Sequence, residues 1–68
     1  MLIVSQNKDT IINLDNIQQI KAKSSSIVLY DWKGNEILLG LYPIDNTKKI
    51  LNEIVKARAS LKTIFEMP

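Results

Sequence analysis

The stretch Glu36-Ile37-Leu38-Leu39-Gly40-Leu41-Tyr42-Pro43, leading into Asp45-Asn46-Thr47-Lys48-Lys49-Ile50-Leu51-Asn52-Glu53-Ile54, decides the fold. Its first half is apolar at odd and even positions alike, which reads as a strand with apolar side chains on both faces. Pro43 ends that strand, because proline cannot donate to a ladder. Asp45 is the best N-cap of the following helix, with Asn46 and Thr47 as alternatives, and the helix is expected over about residues 45–62. At 100° per residue, Ile50, Leu51, Ile54, Val55, Ala57, Leu61, Ile64 and Phe65 spread over about half of its circumference, interrupted by Arg58.

Working outward, Met1 to Ser5 is a first strand, and the polar cluster Gln6-Asn7-Lys8-Asp9 suits a hairpin turn. Thr10 to Leu14 is a second strand and Ile17 to Lys23 a third, separated by a tight turn at Asp15-Asn16. Ile20 and Ala22 alternate with Lys21 and Lys23, but the Ile17 to Ile20 spacing breaks the alternation and calls for a bulge or an extended turn. Ile27 to Tyr30 is a fourth strand. Asp31-Trp32-Lys33-Gly34-Asn35 closes a hairpin, with Gly34 free to take positive φ, and Glu36 to Tyr42 is the fifth strand. The expectation is an α+β fold: an antiparallel meander of about five strands within residues 1–42, with one C-terminal helix packed on one face. Residues 1–68 form a single domain.

Apolar residues on both faces of the last two strands carry a further implication. Val28, Tyr30, Leu38 and Tyr42 fall opposite Ile27, Leu29, Ile37, Leu39 and Leu41, and one helix covers one face. The helix itself has a stripe wider than the 100° or so that one contact needs. Both features point to a homo-oligomer, most simply a two-fold dimer, with Val28, Tyr30, Leu38, Leu51 and Val55 at the interface. Gly40 marks a close backbone approach there or beneath the helix.

Chain length agrees. A single core in a chain of 68 residues supplies only about 3–5 kcal/mol, and such folds gain the rest from disulfides, a metal or self-association. There is no cysteine and no histidine, which leaves association, and no cofactor or metal is expected. Apolar residues at 46% and charged residues at 24% belong to a folded protein, and a net charge of +2 is too small to mark nucleic-acid binding. Met1-Leu2-Ile3-Val4 is too short for a signal peptide and no apolar run approaches the length of a membrane span, so a cytoplasmic protein without membrane contact is expected.

Catalysis has few candidate groups. Asp9, Asp15, Asp31, Glu36, Asp45, Glu53 and Glu66 are the carboxylates, and most occupy turns or a cap. With histidine and cysteine both absent, no enzyme is expected. Lys48 and Lys49 stand out because cations in a first helical turn oppose the helix dipole. A phosphate at the helix start would offset them, with Tyr42 placed to stack on an attached base; the simpler account is that both are solvated and Asp45 compensates them. Trp32, in a turn, either anchors a partner or caps the edge of the core. Lys21, Lys23 and Lys33, near Trp32, form a second candidate surface, for single-stranded nucleic acid, though lysines alternating on a strand are more commonly a solvated face.

At Ile37-Leu38-Leu39-Gly40-Leu41-Tyr42, followed by a helix with Ile50-Leu51 and Ile54 and preceded by Asn13-Leu14-Asp15-Asn16-Ile17, the chain resembles a group of short, functionally uncharacterised proteins of Firmicutes and their phages. The pattern is a strand ending in Leu-Gly-x-Tyr, then a helix, and it spans about two thirds of the chain. The resemblance implies a small α+β fold and a prophage origin, and it implies no reaction. Lys48 and Lys49 depart from the acidic first turn of that group. The expected function is a non-enzymatic, homo-oligomeric binding or interaction protein; the competing expectation is a nucleotide or nucleic-acid binder.

Overall fold

The computed structural model describes all residues from Met1 to Pro68. Strand β1 (Leu2–Val4) pairs antiparallel with β2 (Ile11–Asn13), with Ile3 opposite Ile12. A single 3-10 turn, Leu14–Asn16, follows, its start capped by the Asn13 side chain accepting from the Asp15 N–H. Strands β3 (Ile17–Ala22), β4 (Ser26–Asp31) and β5 (Glu36–Leu41) then form an antiparallel sheet in that order. Helix α1 (Ile44–Ala59) follows, and the chain ends in β6 (Ile64–Glu66).

The fold is α+β, but it is not one five-stranded meander. Six strands form two three-stranded sheets, β2-β1-β6 and β3-β4-β5. The sixth strand pairs parallel with β1, Phe65 opposite Ile3, so the first and last segments lie side by side. The sheets are tied together beyond β1, where the Gln6 N–H donates to the Leu39 carbonyl and the Gln6 carboxamide both donates to and accepts from the Leu41 backbone.

The helix is shorter at its C-terminus than its apolar periodicity suggests. It ends at Ala59, and Ile64 and Phe65, which fit the helical stripe, belong to β6. Leu61 takes φ of +58°, donating its N–H to the Arg58 carbonyl while Lys62 donates to Ala57. That is a Schellman stop with leucine where glycine is usual. At the other end, Asp45 is not the cap: Pro43 occupies that position with no side-chain bond, and its carbonyl accepts from Asn46.

Helix α1 lies against β3 and β4, and Ile50 and Ile54 join Ile3, Ile12, Ile27, Leu29, Leu39, Tyr42 and Met67 in one core. The break expected after Ile17 is a register shift between Ile17 and Gln19. A second shift, where Ile27 pairs with Gly40 and Val28 with Leu38, leaves Leu39 as an extra residue. It reverses the later alternation: Leu41, opposite Ser26, turns to the outer face, and Tyr42 turns into the core at 8% exposure. Gly40 does mark a close approach, but to Tyr42 and Gln6 rather than to a second chain or the helix: an added Cβ would lie 2.7 Å from the Tyr42 hydroxyl and 2.8 Å from Gln6 Cβ.

Candidate functional site

The outer face of the second sheet carries Lys21 and Lys23 from the β3 side, Ser26, Val28 and Tyr30 from β4, and Glu36 and Leu38 from β5. Glu36 organises its polar part, with one carboxylate oxygen accepting from Lys23 Nζ at 2.5 Å and from the Tyr30 hydroxyl at 2.6 Å. These two bonds hold the Glu36 carboxyl below the usual range, Lys23 first and Tyr30 second, and the same pairing raises Lys23. A bridge from the β3 side to β5 has to pass over β4, whose central outward residue is Val28. Val28 is 2% exposed although it lies outside the main core. Its expected place at an oligomer interface is therefore corrected: its own chain covers it.

The other expected interface residues separate. Leu38 is exposed on this outer face and Val55 is exposed on α1, which lies across the opposite face of the same sheet; Tyr30 and Leu51 are half-buried. They do not form one surface. Trp32 is 71% exposed at the β4–β5 hairpin, so it does not cap the core. The hairpin is built by Asp31, whose carboxylate accepts from the N–H groups of Lys33 and Asn35 and from the Asn35 side chain. Those bonds, Asn35 foremost, hold the Asp31 carboxyl below its usual range.

Lys48 and Lys49 point into different places, as neighbours 100° apart on a helix must. Lys48 lines a groove of about 500 Å³ with Ala22, Lys23, Ser24, Ile44, Asp45 and Thr47. Lys49 lines a separate hollow with Tyr42, Asn46, Ile50, Glu53 and Pro68. Tyr42 cannot stack on a base as expected, because its ring is in the core and its hydroxyl donates to the Pro68 carbonyl at 2.9 Å. Burial also raises the Tyr42 phenol. The groove joins two lysines that lie far apart in sequence, Lys23 and Lys48, around a helix start without a side-chain cap. It also holds Asp45, and Lys23 is engaged by Glu36.

Hydroxyls elsewhere serve the fold. Buried Ser5 donates to Asn7 and accepts from the Thr10 N–H, and buried Thr47 donates to the Ile44 carbonyl. No buried side-chain nitrogen or oxygen lacks a partner, and no three carboxylates cluster as metal ligands. No helix is long and apolar enough to cross a membrane.

One exposed apolar surface is one that sequence reasoning missed. On the sheet β2-β1-β6, Ile3, Ile12 and Phe65 face inward, so Leu2, Val4, Ile11 and Ile64 share the outward face, with Asn13 and Glu66 at its corners. Leu2, Ile11 and Ile64 are exposed there. Its signal was available in the uninterrupted apolar runs Leu2-Ile3-Val4 and Ile11-Ile12, which place apolar groups on both faces of each strand. Comparison with protein-family models, with curated proteins and with solved structures finds no match to this chain.

Proposed function

We propose that this chain is a non-enzymatic, self-associating binding protein, encoded by a bacterium or its prophage, that acts by occupying a partner. The observation that carries this reading is the uncovered face of Leu2, Val4, Ile11 and Ile64 on a chain with only 14 buried residues. Apolar faces of this kind on small domains are association surfaces. A chain of this length also gains stability when a second surface covers what its own core leaves open. Sedimentation velocity over a micromolar concentration series tests it: a reversible shift toward a dimer is expected, and a monomer throughout overturns the reading.

A second reading has its own support. Lys23 and Lys48 line one groove beside an uncapped helix start, which suits an anionic ligand such as a nucleotide. It ranks second because Asp45 and Glu36 offset both cations locally. A thermal-shift screen at low salt with mono-, di- and cyclic nucleotides and short oligonucleotides separates the two, and no shift with any of them leaves the interaction reading alone.

A further inference from the structure

Strand β6 is held by residues that all precede the helix leading into it. Leu2 donates to the Thr63 carbonyl, Met67 donates to the Val4 carbonyl, Phe65 lies opposite Ile3, and the Tyr42 hydroxyl donates to the Pro68 carbonyl. Helix α1 itself packs on β3 and β4. Between its last turns and Phe65 lies an open cleft of about 340 Å³, lined also by Glu53, Lys56, Ala57, Ser60 and Lys62. A slot built from β1 and Tyr42 can take residues 64–68 from another copy of the chain as well as from its own.

The link between α1 and β6 is strained when the chain closes on itself. Leu61 holds φ of +58° while exposed, and the left-handed region is costly for a residue with a Cβ. The bonds of the turn do not resist straightening. Leu61 to Arg58 and Lys62 to Ala57 would be replaced one for one by the Leu61 to Ala57 and Lys62 to Arg58 bonds of a continued helix. Ser60 already donates to Lys56 as a helical residue does. The local sequence favours continuation, since Leu61 follows Ile50, Ile54 and Ala57 at helical spacing and both leucine and lysine are good helix formers. A short hinge under strain is the condition that invites two copies to exchange the element beyond it.

We propose that two copies of this chain exchange β6, with α1 running on through Leu61 and carrying residues 64–68 into the slot beside β1 of the other copy. This deepens the self-association reading and rests on it. Every bond between β6 and its slot is kept in the exchanged pair, and two strained hinges are relieved. The entropy of bringing two chains together opposes exchange, so the closed chain prevails when dilute and the pair when concentrated. Each outward apolar face then becomes composite, with Leu2, Val4 and Ile11 from one copy and Ile64 from the other. A partner that binds this face therefore reads two chains at once.

Isotope-filtered NMR is the test, on dimer prepared by unfolding an equal mixture of carbon-13-labelled and unlabelled chains and refolding it at high concentration. Cross-peaks between the Phe65 ring of one chain and the Ile3 methyls of the other are expected, because these residues are register partners across β6 and β1. Leu61→Gly relaxes the hinge of the closed chain, and with two hinges in each dimer it is expected to raise the dimer dissociation constant about tenfold or more. Leu61→Ala retains the left-handed cost and is expected to dimerise as the parent does. Loss of the dimer in both variants would overturn hinge strain as its cause. A dimer in which the Phe65–Ile3 cross-peaks arise only within one chain overturns the exchange and leaves self-association standing, whereas a monomer at every concentration overturns both.

Discussion

Two residues with opposite backbone demands show what a single position contributes. Leu61 holds φ of +58° at 78% exposure, a conformation that costs a leucine and offers it no burial in return. Leu61→Gly is expected to stabilise the chain by about 0.5–1 kcal/mol, the gain in the stop being reduced by a more flexible unfolded chain. Urea denaturation checks it, and a loss of stability would show that leucine makes a contact glycine cannot replace. Gly40 is the reverse case, because the Tyr42 ring and Gln6 Cβ fill the space a methyl needs. Gly40→Ala is expected to cost about 1–3 kcal/mol as the Tyr42 ring and the Gln6 bridge shift, and a cost near zero would contradict that packing. The role of Gly40 was legible, since a glycine inside an apolar strand signals a close approach. The stop at Leu61 was not, because leucine announces helix continuation.

Strands and helix were legible where local alternation governs them and illegible where distant pairing does. The β3 irregularity and the Asp31–Asn35 hairpin follow from residues within a few positions of each other. Ile64 and Phe65 satisfy a helical period equally well, and only a parallel partner some 60 residues away makes them a strand. The candidate groove was half legible: each lysine stood out alone, while their meeting depends on how α1 crosses the β3–β4 connection. The bond networks of β4 and β5 have a pH consequence. Folded Asp31 and Glu36 both hold their protons less tightly than in the unfolded chain. Their contribution is therefore present above the unfolded carboxylate range near pH 4 and is lost as pH falls from there through their lower folded values, because over that interval the unfolded chain binds more protons. Denaturation midpoints at pH 7, 5, 4 and 3 are expected to decline more steeply for the parent than for the Glu36→Gln, Asp31→Asn double variant. Parallel declines would remove these two networks from the account.

At the scale of the molecule, the chain closes on itself through its last five residues. Phe65 lies opposite Ile3, the Met67 N–H donates to the Val4 carbonyl at 3.0 Å, and Met67 is 3% exposed within the core. A meander with a terminal helix would have no use for this segment, whereas two sheets sharing one core depend on it. Met67→Ala removes the buried side chain and is expected to cost about 2–5 kcal/mol. That is comparable with the roughly 3–5 kcal/mol a core of this size supplies, so a substantial unfolded population is expected at 25 °C. Met67→Leu keeps the volume and is expected to cost under about 1.5 kcal/mol. Far-UV circular dichroism in urea is the suitable readout, because Trp32 is already exposed when folded and its emission is a poor reporter of unfolding. If Met67→Ala unfolds at the parent's urea concentration, the C-terminal segment lies outside the cooperative core and the two-sheet architecture fails with it.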